Sequence, residues 1–279
     1  MSLSALREAI DLLIRVPALW LSGLICGMLG AALWIVLNIY GTFFSGRLVI
    51  LFSLAGLFFI CGMLASVKKN GSTIPEMLSD STSYYFKILV PTLVIASGIL
   101  LVFVMVVLTL ALFGIQPDPG LFTFLVFGIL MPTMILSFFY DTAVIFDDRK
   151  VFESLQRSIE VVTAHLADVI LFFFGCLLIV ISVAFPLLVI WILMLADRLE
   201  PITLYNETQV RAITHDQLTA IIGIEGVLVT ALVIFIGIAV LIPLLYTYKA
   251  CFYRQISRTA PIIRQQVGEY DSKGRWYKY

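Results

Sequence analysis

The chain has 279 residues, of which 61% are apolar and 13% charged, and its mean hydropathy is +1.05. A soluble domain carries about 25% charged residues, so a water-soluble globule is excluded, and disorder, which needs low hydrophobicity and high net charge, goes with it. Eighteen Lys and Arg balance eighteen Asp and Glu, which leaves no basic excess to attract nucleic acid.

The first element is an amphipathic stretch, with Leu6, Ala9, Ile10, Leu13 and Val16 at helical spacing against Arg7, Glu8, Asp11 and Arg15. A helix apolar on one stripe and charged on the other lies in the plane of a membrane surface. Six runs follow, at about 17–44, 48–67, 88–114, 121–146, 169–196 and 217–248. Each exceeds or matches the roughly 20 residues that carry a helix across a hydrocarbon core about 30 Å thick. Backbone groups in hydrocarbon must bond internally, so the runs read as helices. The first run is longer than the roughly 7–15 residues of a secretory signal core and follows acidic Glu8 and Asp11, so it reads as retained. It also carries Gly23, Gly27 and Ala31 at four-residue spacing, small residues that let another helix approach, in this chain or in a second copy.

A second amphipathic stretch precedes the third span, with Ile74, Met77, Leu78, Tyr85, Ile88 and Leu89 against Glu76, Asp80, Ser83 and Lys87. Ser72-Thr73 before Pro75-Glu76 supplies helix start signals. Spans three to six each hold a proline: Pro91, Pro132, Pro186 and Pro243. Proline kinks a helix and frees a carbonyl, which in transporters can line a substrate site, but few polar residues accompany these four.

At the end of the fourth span stand Asp141, Asp147 and Asp148, beside Arg149 and Lys150. Carboxylates there suit a divalent ion holding a lipid phosphate, although such charges more ordinarily mark where a helix meets water. Asp141 lies two turns deeper than the others and could pair with a basic residue such as Arg157. That arginine belongs to a third amphipathic stretch, with Phe152, Leu155, Ile159, Val162 and Leu166 against Glu153, Gln156, Arg157 and Glu160. Glu225 lies inside the last run. It stands 24 residues, or about 36 Å of helix, before Lys249, which favours an interfacial carboxylate over one at mid-membrane.

Stepping from Leu6 to Leu78 to Leu155 gives intervals of 72 and 77 residues. The pattern reads as three pseudo-repeats, about 1–70, 71–149 and 150–256, each a surface helix followed by a hairpin of spans. The six spans form one domain over 1–256, and 257–279 is a basic and aromatic tail. The fold class is all-α, polytopic and membrane-spanning.

Fifteen of the eighteen basic residues fall on one side of this topology; only Arg47, Arg198 and Arg211 fall on the other. The bias places both termini in the cytoplasm, with the body in the plasma membrane. Lys68, Lys69, Arg149, Lys150, Arg254 and Arg258 on that side, with Trp276 in the tail, are candidates for contact with lipid headgroups or a partner. The triplet Asn206-Glu207-Thr208 on the opposite side fits a glycosylation acceptor, a pattern that also arises by chance.

Cys26, Cys61, Cys176 and Cys251 fall in different spans without paired spacing and read as small packing residues. His165 and His215 are predicted on opposite sides, and neither a zinc motif nor a phosphate loop is present. No metal or cofactor is expected.

The segments Ala5-Leu6-Arg7-Glu8-Ala9 with Arg15-Val16-Pro17, Phe152-Glu153-Ser154-Leu155-Gln156-Arg157-Ser158 and Gly268-Glu269-Tyr270-Asp271-Ser272-Lys273-Gly274-Arg275-Trp276-Tyr277 resemble uncharacterised archaeal six-span membrane proteins. More distantly, the layout is similar to membrane domains fused to glycerophosphodiester phosphodiesterases and to the YciC-like bacterial inner-membrane family. The resemblance implies a multi-pass fold and no established activity, and no soluble phosphodiesterase segment remains in the chain.

The reading that follows is a non-catalytic membrane-organising or accessory subunit, whose partners are membrane lipids, other membrane subunits or a second copy. The alternatives are a small permease or lipid transporter, and a lipid-modifying enzyme working near Asp141. A polar cavity at the midplane would favour transport. A solid apolar bundle would count against it.

Overall fold

A computed structural model describes residues 2–114, 119–203, 205–206, 208, 214–259, 268–270 and 276–278. Six of its helices are long and apolar enough to span a membrane.

Helix α1 (Ser2–Arg15) turns Ala5, Ala9 and Leu13 inward. Pro17 then opens a single 3-10 turn, Pro17–Leu19, where its missing N–H costs nothing, and α2 (Trp20–Tyr40) follows directly. The Trp20 indole donates to the Leu13 carbonyl (3.1 Å), which fixes α1 against the start of the span. Gly41 alone separates α2 from α3 (Thr42–Lys68), at φ +75°, a value that suits glycine and few other residues. The sequence places this turn near 45–47; the chain reverses some five residues earlier, because apolar Phe43 and Phe44 mask the break. Arg47 is therefore helical, and its guanidinium stacks over Phe43 at 4.2 Å.

The second amphipathic stretch is not a separate helix but the first turns of α4 (Ile74–Leu112), which runs on through Pro91. Its start is closed by Glu76, whose carboxylate accepts the Thr73 N–H at 2.9 Å. The fourth span is split into α5 (Pro119–Ser137) and α6 (Tyr140–Phe146). After it come α7 (Val151–Ala164), α8 (Leu166–Met194) and α9 (Ala196–Thr203). The last helix, α10 (His215–Ser257), bends at Gly223, where φ is +63°. Two short strands, β1 (Gly268–Tyr270) and β2 (Trp276–Lys278), pair antiparallel, with Tyr270 opposite Trp276.

The most extensive helix pairing joins α2 to α10. A Cβ on Gly23 would run into the Ala239 carbonyl and stand 2.6 Å from Pro243 Cδ; one on Gly27 would lie 2.7 Å from the Phe235 carbonyl. In lipid, where apolar surface has nothing to gain by association, such backbone-to-backbone approach supplies the packing energy. Ala31 lies on the same helix further from the basic end, half-buried.

Burial is unevenly distributed. The core gathers Cys61 to Val67 of α3, Ala143 to Ile145 of α6, Val161 and Val162 of α7, Val169 and Phe172 of α8, and Tyr248 to Ile256 of α10. All of these lie at one end of the bundle, the end that also carries α1 and most of the basic residues; we call it the basic end. By contrast, the most apolar 18-residue stretches of α4 and α8 contain no buried residue. Beyond the basic end α2 and α10 stay paired, while α4 and α8 present bare hydrocarbon faces.

Candidate functional site

The polar centre of the molecule forms where the fourth span breaks. Between α5 and α6 the helical ladder is interrupted, and Ser158 of α7 fills the gap. Its hydroxyl accepts the Phe139 N–H (3.0 Å) and donates to the Leu136 carbonyl (2.7 Å). One side chain thus satisfies two backbone groups that would otherwise be orphaned in a dry interior, each at a cost of about 1–3 kcal/mol. The break re-aims the chain so that α6 is buried over Asp141 to Ile145.

Asp141 then meets Lys249 of α10. Their ion pair closes at 2.8 Å, with each side chain only 9% exposed. The other Asp141 oxygen accepts the Thr142 N–H at 2.7 Å. Lys249 sits over the rings of Phe138 (4.4 Å) and Tyr246 (5.4 Å), so aromatic faces surround the ammonium where water would otherwise solvate it. This corrects two expectations. Asp141 pairs with Lys249, not with Arg157, whose guanidinium is engaged by Asp147, Glu160 and the Ser257 carbonyl. Lys249 does not mark a hydrated membrane surface but lies inside the bundle, 7% exposed.

Arg157 is also buried, and it holds the end of the bundle together. Its Nε lies 3.5 Å from Asp147, Nη1 lies 3.4 Å from Glu160, and Nη2 donates to the Ser257 carbonyl at 2.9 Å, where α10 ends. Asp147, read as solvated, accepts the Tyr253 hydroxyl at 2.7 Å. Asp148 faces outward and bonds Lys68 (3.1 Å), whose ammonium also donates to the Ile145 carbonyl (2.5 Å). The three carboxylates at this boundary are therefore held by three different cations or donors and do not converge on a common point.

A third group clamps α1. Arg254 pairs with Glu8 and donates to Asn70 (2.6 Å) in the α3–α4 connection. Gln255 bonds Glu8 (3.0 Å) and accepts from Ser4 (3.0 Å). Nearby, Lys69 pairs with Asp80 at 2.6 Å, and that bond holds its ammonium above the ordinary value.

Among the residues read as headgroup contacts, Lys68, Lys69 and Arg254 are thus engaged inside the chain, while Lys150 and Arg258 are exposed and Arg149 half-buried. The Trp276 backbone lies in β2, and its side chain is outside the described residues. At the opposite end Glu225 pairs with Arg198 of α9 at 2.7 Å, both largely exposed. Asn206 is exposed and accepts from the Thr208 hydroxyl at 2.7 Å, while Glu207 lies outside the described residues. Cys26, Cys61 and Cys251 are buried free thiols, and Cys176 is half-buried. Among the described residues no three His, Cys, Asp or Glu side chains converge as metal ligands would.

Sequence reasoning missed Lys249, Tyr253 and Ser158. Lys249 terminates an apolar run, the position expected of a residue that touches water, and only its aromatic neighbours Phe138 and Tyr246 hint otherwise. Ser158 carried no signal beyond being a small polar residue on the apolar side of an amphipathic helix.

Six spanning helices and internally neutralised charges define a polytopic helical membrane protein. A family described as Domain of unknown function (DUF7847) matches residues 2–256, and the chain belongs to that family. No curated protein and no solved structure matches it.

Proposed function

We propose that the chain is a non-catalytic membrane-organising or accessory subunit, set in the plasma membrane with both termini in the cytoplasm. One observation carries the reading: the buried charges at the basic end are neutralised within the chain, while α4 and α8 present long apolar faces with no buried residue over their most hydrophobic stretches. A protein built to move or convert a polar substrate keeps charged groups available along a path. Here Asp141, Asp147 and Asp148 are each tied to a different partner, which weighs against a lipid-modifying centre. The three-hairpin organisation and the kinship with archaeal six-span proteins, phosphodiesterase-linked membrane domains and YciC-like proteins belong to this same reading.

The bare face of α4, with Leu101 64% and Leu108 54% exposed, is where a membrane partner would lie. Photo-crosslinking residues at Leu101 and Leu108 in native membranes test this. The reading requires both to capture the same membrane protein in stoichiometric yield, and a substituent at buried Phe252 to capture none. Solute flux catalysed by the purified chain alone in vesicles would overturn it. A small lipid transporter is the second reading, favoured by a sideways-open groove between proline-bearing α8 and α10.

A further inference from the structure

That groove is walled by Phe185, Leu188 and Trp191 of α8 and by Thr230, Val233 and Gly237 of α10, and offers about 580 Å³ of space open to one side. It runs from Ile181 to Trp191, ten residues or about 15 Å along the helix. Its lining is apolar except at one end. There the Trp191 indole donates to the Thr230 hydroxyl at 2.8 Å, and that hydroxyl donates to the Gly226 carbonyl at 2.7 Å, so the polar atoms of the wall are satisfied within the chain. Gly237 keeps the floor open: a Cβ there would first meet Leu187 Cδ1, at an ordinary 3.4 Å.

At the Trp191–Thr230 end, which that bond closes, α8 gives way to α9, whose Arg198 pairs with Glu225 of α10, the two side chains 52% and 72% exposed. An exposed ion pair is weakly held and readily exchanges partners. We infer that this groove seats one acyl chain of a glycerophospholipid, with the phosphate of that lipid against Arg198. The occupant follows from volume and charge. The groove lies within membrane-spanning stretches, so what fills it is apolar. A cleft about 15 Å long with about 580 Å³ of space, open to one side, suits a single flexible chain lying along it. A cation just beyond the closed end suits a phosphate; a carboxylate beside it suits the cationic end of a zwitterionic headgroup. This site does not depend on the accessory reading, whose partner surface is α4.

Native mass spectrometry of the full chain in mild detergent, titrated with dioleoylphosphatidylcholine, tests it. Wild type retains one lipid per chain under activation that strips the rest. Ala184→Phe, which puts a ring into the groove from an exposed position, lowers that occupancy about tenfold, and Arg198→Gln lowers it severalfold. Leu51→Phe, at an exposed position of α3 outside the groove lining, leaves it unchanged. Equal occupancy in wild type and Ala184→Phe, or no retained lipid in wild type, overturns the assignment. So do disulfide-linked dimers formed through Ala184→Cys, which would put a second copy in the groove.

Discussion

Lys249 is the side chain on which the basic end turns. A buried pair is a weak source of net stability, because desolvating two ions offsets most of their attraction, but breaking one is costly. Lys249→Met leaves the Asp141 carboxylate without its counter-ion among Phe138, Tyr246 and the α6 backbone. We expect a loss of about 3–5 kcal/mol, read from unfolding in mixed micelles titrated with dodecyl sulfate. The double variant Asp141→Leu with Lys249→Met should recover most of it, since no charge is then stranded. If the double variant is as unstable as the single, the pair does more than balance charge. Ser158→Ala removes the hydroxyl that serves Phe139 and Leu136 together, and should cost about 2–6 kcal/mol in the same assay, about 1–3 for each orphaned group.

Helix pairing shows what sequence could and could not reveal. Gly23 and Gly27 were legible as a small-residue face, because only small residues permit the backbone approach that holds helices together in lipid. Their partner was not, since α10 lies some 200 residues away and nothing local names it. The same limit applies to the fourth span. Ser137 and Asp141 flank the break at Phe138–Phe139, but polar residues near the end of a span read equally as its exit into water; what closes the interrupted ladder is Ser158, on another helix. Gly41 was hidden because Phe43 and Phe44 just beyond it extend the apolar run of the first span. Contact geometry separates the glycines of α2. Gly23→Ala forces the α2 and α10 backbones apart and should destabilise by about 1–3 kcal/mol. At Gly30 the nearest obstacle is Ile238 Cδ1, the end of a flexible side chain, so Gly30→Ala should be close to neutral. Equal losses at the two positions would show that α2 and α10 do not meet as described.

On the scale of the whole molecule, spans and their lipid solvent were readable from composition, and the charge bias defined which loops lie together. The fate of the charges was not readable. Of the basic residues read as headgroup ligands, the fold gives Lys68, Lys69 and Arg254 internal partners, as it does Arg157 and Lys249, and leaves Lys150 and Arg258 exposed. That division separates an inert body from a conduit. A conduit must bring water to the buried pair at some stage of its cycle, whereas a closed body admits water there only by local unfolding.

Cys61 offers a native probe, because α3 packs against α6, which carries Asp141, and the thiol is buried. The measurement is the rate at which a membrane-impermeant maleimide modifies Cys61 in vesicles, with the other three cysteines replaced by alanine. A sealed basic end predicts labelling roughly a hundredfold slower than at Arg258→Cys, the pace of local opening. Labelling at comparable rates would reveal an aqueous route to the Asp141–Lys249 pair and contradict the sealed, non-transporting body.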